Sequence, residues 1–156
     1  MIEVRYAKYE DYELVLTIDS SIGELKWREW IDSKQAVVAF LNNEFAGWLQ
    51  YGLFMEKMPF VNRLYVFEKY RRQAVGSFLL LYCEDSVRNL GYKQIMLSVE
   101  SMNTARDFYK KLGYTELGDF DYFGEHKEIM LAASSIPIRC ASSKETSPGR
   151  NDCIRW

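Results

Sequence analysis

Apolar and polar positions trade places with two different periods along this chain, and each change of period marks an element. "IEVRYA" alternates and predicts a first strand. A helix is expected over roughly Asp11 to Asp19, and "GELKWREWID" predicts a second short helix carrying Trp27 and Trp30. "QAVVAFL" is an apolar run rich in β-branched residues, "NNE" is a turn signal, and "FAGWLQYGLF" follows as a partner strand. Gln35 to Phe54 therefore reads as a hairpin. "FVNRLYVF" predicts another strand. A helix then runs to about Asn89, with Leu80, Cys83, Val87 and Leu90 as one apolar stripe and Gly91 as its terminator. "KQIMLSV" predicts a strand with Ile95, Leu97 and Val99 on one side. "NTARDFYKKLG" predicts a short helix capped by Asn103 and closed by Gly113. "YTELGDF" and "HKEIMLA" complete the series as strands. The predicted order is β α α β β β α β α β β, with no internal repeat.

After Ala133 the pattern stops. "SSIPIRCASSKETSPGRNDCIRW" holds five Ser and two of the three Pro, and no periodic apolar face. The expectation is one folded domain over residues 1–133 and a flexible or appended C-terminal tail over 134–156.

The chain of 156 residues is 48% hydrophobic and 27% charged, enough for a sizeable core. A net charge of −2 argues against a general nucleic-acid binder. No run approaches the ~18 apolar residues of a membrane span. The N-terminus "MIEVRYAKYEDYE" has no apolar signal core, so the cytoplasm is the expected location, with no membrane partner. The cysteines, Cys83, Cys140 and Cys153, have no metal-ligand spacing, and His126 is the sole histidine. That combination disfavours a metal site and a Ser-His-Asp triad.

One stretch changes the picture. In "YRRQAVGSFLLL", Arg71 and Arg72 precede small and unbranched residues at a helix entrance that follows a strand. The first turn of a helix has N–H groups without intrahelical partners and a partial positive charge, so the entrance suits an anion. Arg71 and Arg72, with Lys69 nearby, can add charge-assisted hydrogen bonds. Neither a Walker A loop nor the dinucleotide fingerprint is present. On spacing alone a solvated basic turn before a core helix fits equally well.

Two motifs taken together decide between these readings. Arg71-Arg72-Gln73-Ala74-Val75-Gly76 resembles the [Q/R]-x-x-G-x-[G/A] turn of the GNAT superfamily of acyl-CoA-dependent N-acyltransferases. About 30 residues on, Asn103, Ala105, Phe108, Tyr109, Lys111, Leu112, Gly113 and Tyr114 resemble that family's later helix. The segment "GWLQYGLF…PFVNRLYV" is similar to a bacterial branch of small single-domain members. The resemblance covers roughly Ile2 to Leu131.

It implies an α/β (α+β) GNAT fold: a mixed sheet of about seven strands, splayed between the fourth and fifth, flanked by four helices. It implies acetyl-CoA as cosubstrate and no metal. Backbone groups of Leu64, Tyr65 and Val66 would pair with the pantetheine arm. The amides of Arg72 to Ser77, a stretch holding Gln73, Ala74, Val75 and Gly76, would hold the pyrophosphate, with Arg71 beside them. Asn103 would add a coenzyme contact. Ala74 stands where the family most often has glycine; ordinary helical angles are expected there, at little cost.

The family pattern assigns Tyr109 as the acid that protonates the leaving thiolate; by spacing alone it would be a packing residue. The expected reaction moves an acetyl group to a primary amine of a small molecule, by direct attack in a ternary complex. A peptide or protein amine is the alternative acceptor, and a non-catalytic acyl-CoA-binding module is the alternative function. Trp27, Trp30, Trp48 and Asn62, with Tyr51, are expected to line the acceptor pocket; core filling is the competing role for the tryptophans. Glu56, Glu68 and Glu100 are candidate bases by their position near strand ends, with a solvated surface acid the preferred reading of each. A homodimer is expected from the resemblance alone.

Overall fold

The computed structural model describes residues 1–133 and the backbone of 153–155. Of the tail expected over 134–156, residues 134–152 and 156 lie outside the described residues, and 153–155 form a strand. Seven strands and four α-helices follow in the predicted order: β1 (Ile2–Tyr6), α1 (Tyr12–Leu16), α2 (Glu24–Asp32), β2 (Ala36–Leu41), β3 (Glu44–Phe54), β4 (Met58–Val66), α3 (Val75–Asn89), β5 (Ile95–Glu100), α4 (Ala105–Lys111), β6 (Thr115–Tyr122) and β7 (His126–Ala133). A short β8 (Cys153–Arg155) lies antiparallel to β1. No described helix is long and apolar enough to cross a membrane.

The chain divides into two compact units. The first contains Met1–Tyr51 and Arg63–Cys83, and the second contains Gly52–Asn62 and the chain from Glu84 through β7.

In the first unit the strand order is β8-β1-β2-β3 and then the C-terminal part of β4. The β2–β3 hairpin turns on Asn42 and Asn43, whose φ values of 51° and 67° are those of a type I′ turn. Asparagine tolerates that backbone better than other residues with a side chain, which is why the sequence announced the turn. Where a longer first helix was expected, a 3-10 turn at Tyr9–Asp11 precedes α1. The break has a cause in Asp11, which is 2% exposed. Its carboxylate accepts two hydrogen bonds from the Arg5 guanidinium, at 2.7 and 2.8 Å, and one from the Lys8 amide at 2.7 Å. Its bonds thus tie the turn to β1. The core cluster of this unit joins Ala7, Val15, Ile22, Trp27, Trp30, Ala36, Val38 and Trp48.

In the second unit the order is β6-β7-β5 and then the N-terminal part of β4. β6, β7 and β5 pair antiparallel, and β5 pairs parallel with β4 at Phe60↔Met96 and Val61↔Leu97. Beyond Leu97, β5 continues through Ser98, Val99 and Glu100 paired with β7. The stripe predicted on α3 is buried at Leu80, Cys83 and Val87. Leu90 is instead 68% exposed, because the helix ends at Asn89 and Leu90 lies in the closing turn.

Both predicted glycine terminators close their helices in the same way. Gly91 has φ 93°, its N–H donates to the Arg88 carbonyl, and the Tyr92 N–H donates to the Val87 carbonyl. Gly113 has φ 94°, its N–H donates to Lys110, and the Tyr114 N–H donates to Tyr109. These are Schellman closures, and they need a residue free of β-carbon strain at the left-handed position.

Candidate functional site

The segment from β4 to α3 lies within the first unit. At the end of β4, Tyr65 is exposed and Leu64 and Val66 are half-buried. The Phe67 N–H donates to the Ala46 carbonyl at 3.0 Å and ties this end of β4 to β3. One position on β3, Gly47, has a structural duty that sequence reading missed. A β-carbon there would stand 2.3 Å from the Tyr65 carbonyl oxygen and 3.0 Å from the Val66 α-carbon. The backbone of β4 therefore occupies the space a side chain would need.

A 3-10 turn at Glu68–Tyr70 follows. Tyr70 is buried, and its hydroxyl donates to the Glu44 carboxylate. Lys69 also donates to Glu44, at 3.1 Å, and its ammonium sits 4.5 Å from the Tyr70 ring. The Tyr70 hydroxyl, with Lys69 beside it, holds the Glu44 carboxyl below the usual carboxylate range. Lys69 is thus committed to Glu44, although the sequence suggested it as a cation near the loop.

Arg71 turns back toward β4. Its Nε donates to the Val66 carbonyl at 3.0 Å, and its guanidinium lies 5.9 Å from the Tyr65 ring centroid. The Gln73 side-chain amide donates to the Lys69 carbonyl at 3.0 Å and closes the loop. Arg72 is exposed and makes no side-chain hydrogen bond to a described residue. Helix α3 then begins with buried Val75. Its first bond runs from the Phe78 N–H to the Ala74 carbonyl at 3.0 Å, so the amides of Val75, Gly76 and Ser77 precede the helical ladder. The loop thus presents first-turn amides and one uncommitted guanidinium, an arrangement suited to a phosphate.

The expectation of ordinary helical angles at Ala74 is overturned. Its φ is 66°, and Arg72 two residues earlier has φ 62°. A β-carbon in left-handed backbone crowds the neighbouring carbonyl, at a cost of about 1–2 kcal/mol per residue. The glycine usual at this place in the resembling motif was the available signal: it marks a left-handed position, which alanine occupies here under strain. Ala74→Gly is accordingly expected to stabilise the protein by about 1 kcal/mol, after allowing for glycine's larger unfolded-state entropy. Thermal unfolding would register this as a Tm rise of roughly 2–4 °C. An unchanged or lower Tm would mean that the position carries no relievable strain.

Helix α4 and its surroundings belong to the second unit. Asn103 is exposed and accepts from the Ala105 N–H at 2.8 Å, but the N-cap position predicted for it is held by Thr104, one residue later, whose side chain makes no capping hydrogen bond. Tyr109 is 6% exposed, with its ring 5.1 Å from Phe108 and 5.8 Å from Tyr114. Burial pushes its phenol pKa up to about 12. Tyr114 is buried too, and its hydroxyl donates to Glu84 at 3.0 Å. Glu84 is fully buried on α3. It escaped notice in the sequence because it falls inside the apolar run "LLLYCEDSV", where nothing marks the acid as buried. Its signal was the spacing: Leu80, Val87 and Glu84 share one helix face.

The expected acceptor wall resolves differently. Trp27 and Trp48 are each 1% exposed, with ring centroids 6.2 Å apart, and Trp30 packs on Trp48 at 6.1 Å. Trp27 and Trp48 fill the core, with almost no surface left for a ligand to touch, and Trp30, 6% exposed, packs within the same cluster. Tyr51 is likewise buried, its hydroxyl donating to the Lys34 carbonyl at 2.9 Å. Trp30 does carry the Arg63 guanidinium 5.4 Å from its ring, and Arg63 also pairs with Asp19 at 3.4 Å. Asn62 is exposed on β4, with its amide nitrogen beside Gly52, 3.4 Å from where a β-carbon would be. Glu56, Glu68 and Glu100 are all exposed, as surface acids are.

The mixed α/β fold is that of an acyltransferase family. The chain belongs to the Acetyltransferase (GNAT) family, whose model matches residues 4–114. No curated protein sequence matches it. Several solved structures share its fold. The ribosomal-protein-S18-alanine N-acetyltransferase of Escherichia coli is 17% identical with a TM-score of 0.71, over 93% of this chain and 100% of that one. The Ard1 structure from Thermoplasma volcanium is 16% identical with a TM-score of 0.71, over 84% and 95%. PaiA N-acetyltransferase from Thermoplasma acidophilum, in complex with coenzyme A, is 21% identical with a TM-score of 0.64, over 83% and 98%.

Proposed function

We propose that this chain is an acetyl-CoA-dependent N-acetyltransferase whose acceptor is a primary amine of a small molecule. The reading is carried by the loop between β4 and α3. It combines left-handed backbone at Arg72 and Ala74, first-turn amides at Val75 to Ser77 and an unengaged Arg72 guanidinium, in a member of the GNAT family. That combination fits a pyrophosphate better than a solvated turn, because a merely solvated turn has no need of strained backbone. The likeness to a structure solved with coenzyme A is in keeping with it.

In the proposed reaction the pyrophosphate rests on the loop amides, and backbone groups of Leu64, Tyr65 and Val66 pair with the pantetheine arm as an added strand would. A neutral acceptor amine attacks the thioester carbonyl directly. The C–N bond forms, the C–S bond breaks, and the nitrogen loses a proton while the sulfur gains one. Tyr109 supplies the hydrogen bond to the departing sulfur. No cysteine is assigned an acyl-enzyme role. The proposed catalytic domain spans residues 1–133.

Calorimetric titration of coenzyme A into the full chain, followed by mass spectrometry of amines and short peptides incubated with acetyl-CoA, tests this. One saturable site and a mass gain of one acetyl group on a small amine are the expected results. Acetylation of peptides alone would move the acceptor to a polypeptide, and saturable binding without any acetylated product would leave a coenzyme-binding module.

A further inference from the structure

The two arginines of the loop look equivalent in the sequence and are not equivalent in the fold. Arg71 is held by a hydrogen bond from its Nε to the Val66 carbonyl and by its place over the Tyr65 ring. Its planar guanidinium meets β4 with one fixed donor and one flat face, which a lysine cannot reproduce. Arg72 is exposed, has left-handed backbone with φ 62°, and has no such tether to a described residue.

The geometry points to a division of labour that rests on the coenzyme reading above. Arg71 is a positioning residue for the pantetheine edge of β4, and Arg72 is the cation that meets the pyrophosphate. Arg71 ties the loop to the carbonyl of Val66, one of the three residues proposed to pair with the arm. Without that tie the end of β4 and the phosphate loop would be free to shift relative to one another, and the two ends of the coenzyme would no longer be gripped in register. The charge of Arg71 is then secondary to its shape. For Arg72 charge is what counts.

Two probes separate these roles: coenzyme A, and its own nucleotide half, 3′-phosphorylated ADP (ADP for short), which carries the pyrophosphate without the arm. Both are titrated calorimetrically into the native chain, Arg71→Lys and Arg72→Gln. Arg71→Lys keeps the charge and loses the fixed Nε donor. It is expected to weaken coenzyme A by about tenfold while ADP stays within about twofold, the effect of one lost charge-assisted hydrogen bond felt only through the arm. Arg72→Gln is expected to weaken both probes by a similar factor, about tenfold, and to flatten the salt dependence of ADP binding. Arg71 is exposed, so misfolding of the variant is not expected, and its Tm serves as the check. Equal weakening of ADP and coenzyme A by Arg71→Lys would make Arg71 a phosphate ligand and overturn the division. So would an Arg72→Gln variant that binds ADP as the native chain does. Failure of the native chain to bind coenzyme A at all would overturn the coenzyme reading itself, and this inference with it.

Discussion

Tyr109→Phe is expected to lower kcat by roughly 100-fold or more while leaving the KM for acetyl-CoA within about threefold, the range in which a positioned acid or hydrogen-bond donor contributes. The substitution removes one oxygen and keeps the ring that packs against Phe108 and Tyr114, so the fold should survive it. What the substitution would remove is the proposed donor to the developing thiolate. A simple thiol has a pKa near 8.5, and Tyr109 is pushed up to about 12. The phenol is therefore the weaker acid of the two. In the proposed role it would stabilise the sulfur by hydrogen bonding as charge develops, without delivering its proton fully before the C–S bond has broken. The same comparison fixes the pH dependence. Tyr109 stays protonated to about pH 12, so it contributes no limb to the profile in the neutral range. The rise of kcat/KM with pH should follow deprotonation of the acceptor amine and keep its midpoint in Tyr109→Phe. A changed midpoint would make Tyr109 a titrating group in that range and contradict its environment. Its raised pKa also has a sign for stability. The folded state holds the proton more tightly than the unfolded chain, so this contribution is complete below pH 10 and lost as pH rises through about 12.

Gly47→Ala is expected to cost about 3 kcal/mol, the upper part of the range for overpacking, and to lower Tm by roughly 6–12 °C. The added β-carbon would stand 2.3 Å from the Tyr65 carbonyl oxygen, 3.0 Å from the Val66 α-carbon and 3.2 Å from the Tyr65 carbonyl carbon. All three atoms are backbone, so no side chain can swing aside to make room. The end of β4 must move, and those residues are the ones proposed to pair with the pantetheine arm. Coenzyme A affinity should therefore fall along with Tm, and by more than in a control of equal stability loss in the tryptophan cluster, such as Val38→Ala. Unfolding curves and calorimetric titration of both variants decide it. A Gly47→Ala protein with native Tm and native affinity would show that β4 is not held at this approach.

These two residues mark the limits of what the sequence discloses. The order of elements was legible because hydrophobic period, turn chemistry and helix terminators agree locally: Asn42-Asn43, Gly91 and Gly113 each act within a few residues of themselves. Tyr109 stood out through a motif, and its burial followed from its place on the apolar face of α4. Gly47 was illegible because its reason lies on another strand, at Tyr65 and Val66. The Arg5–Asp11 pair was hidden for the same kind of cause, since a buried carboxylate and a surface one look alike in a sequence. The tryptophans misled in the opposite direction. Aromatic residues near a predicted site suit a ligand wall and a core equally, and only burial separates the two. At Ala74 small size is the property a sequence displays, whereas the sign of φ is the property that matters there.

The most direct test of the central claim is free-thiol release from acetyl-CoA by the full chain, with and without a small primary amine, beside Tyr109→Phe. The account predicts release that depends on the amine, saturates in both substrates and drops at least about 100-fold in the variant. Release that is independent of any amine, or equal in the two proteins, would contradict it.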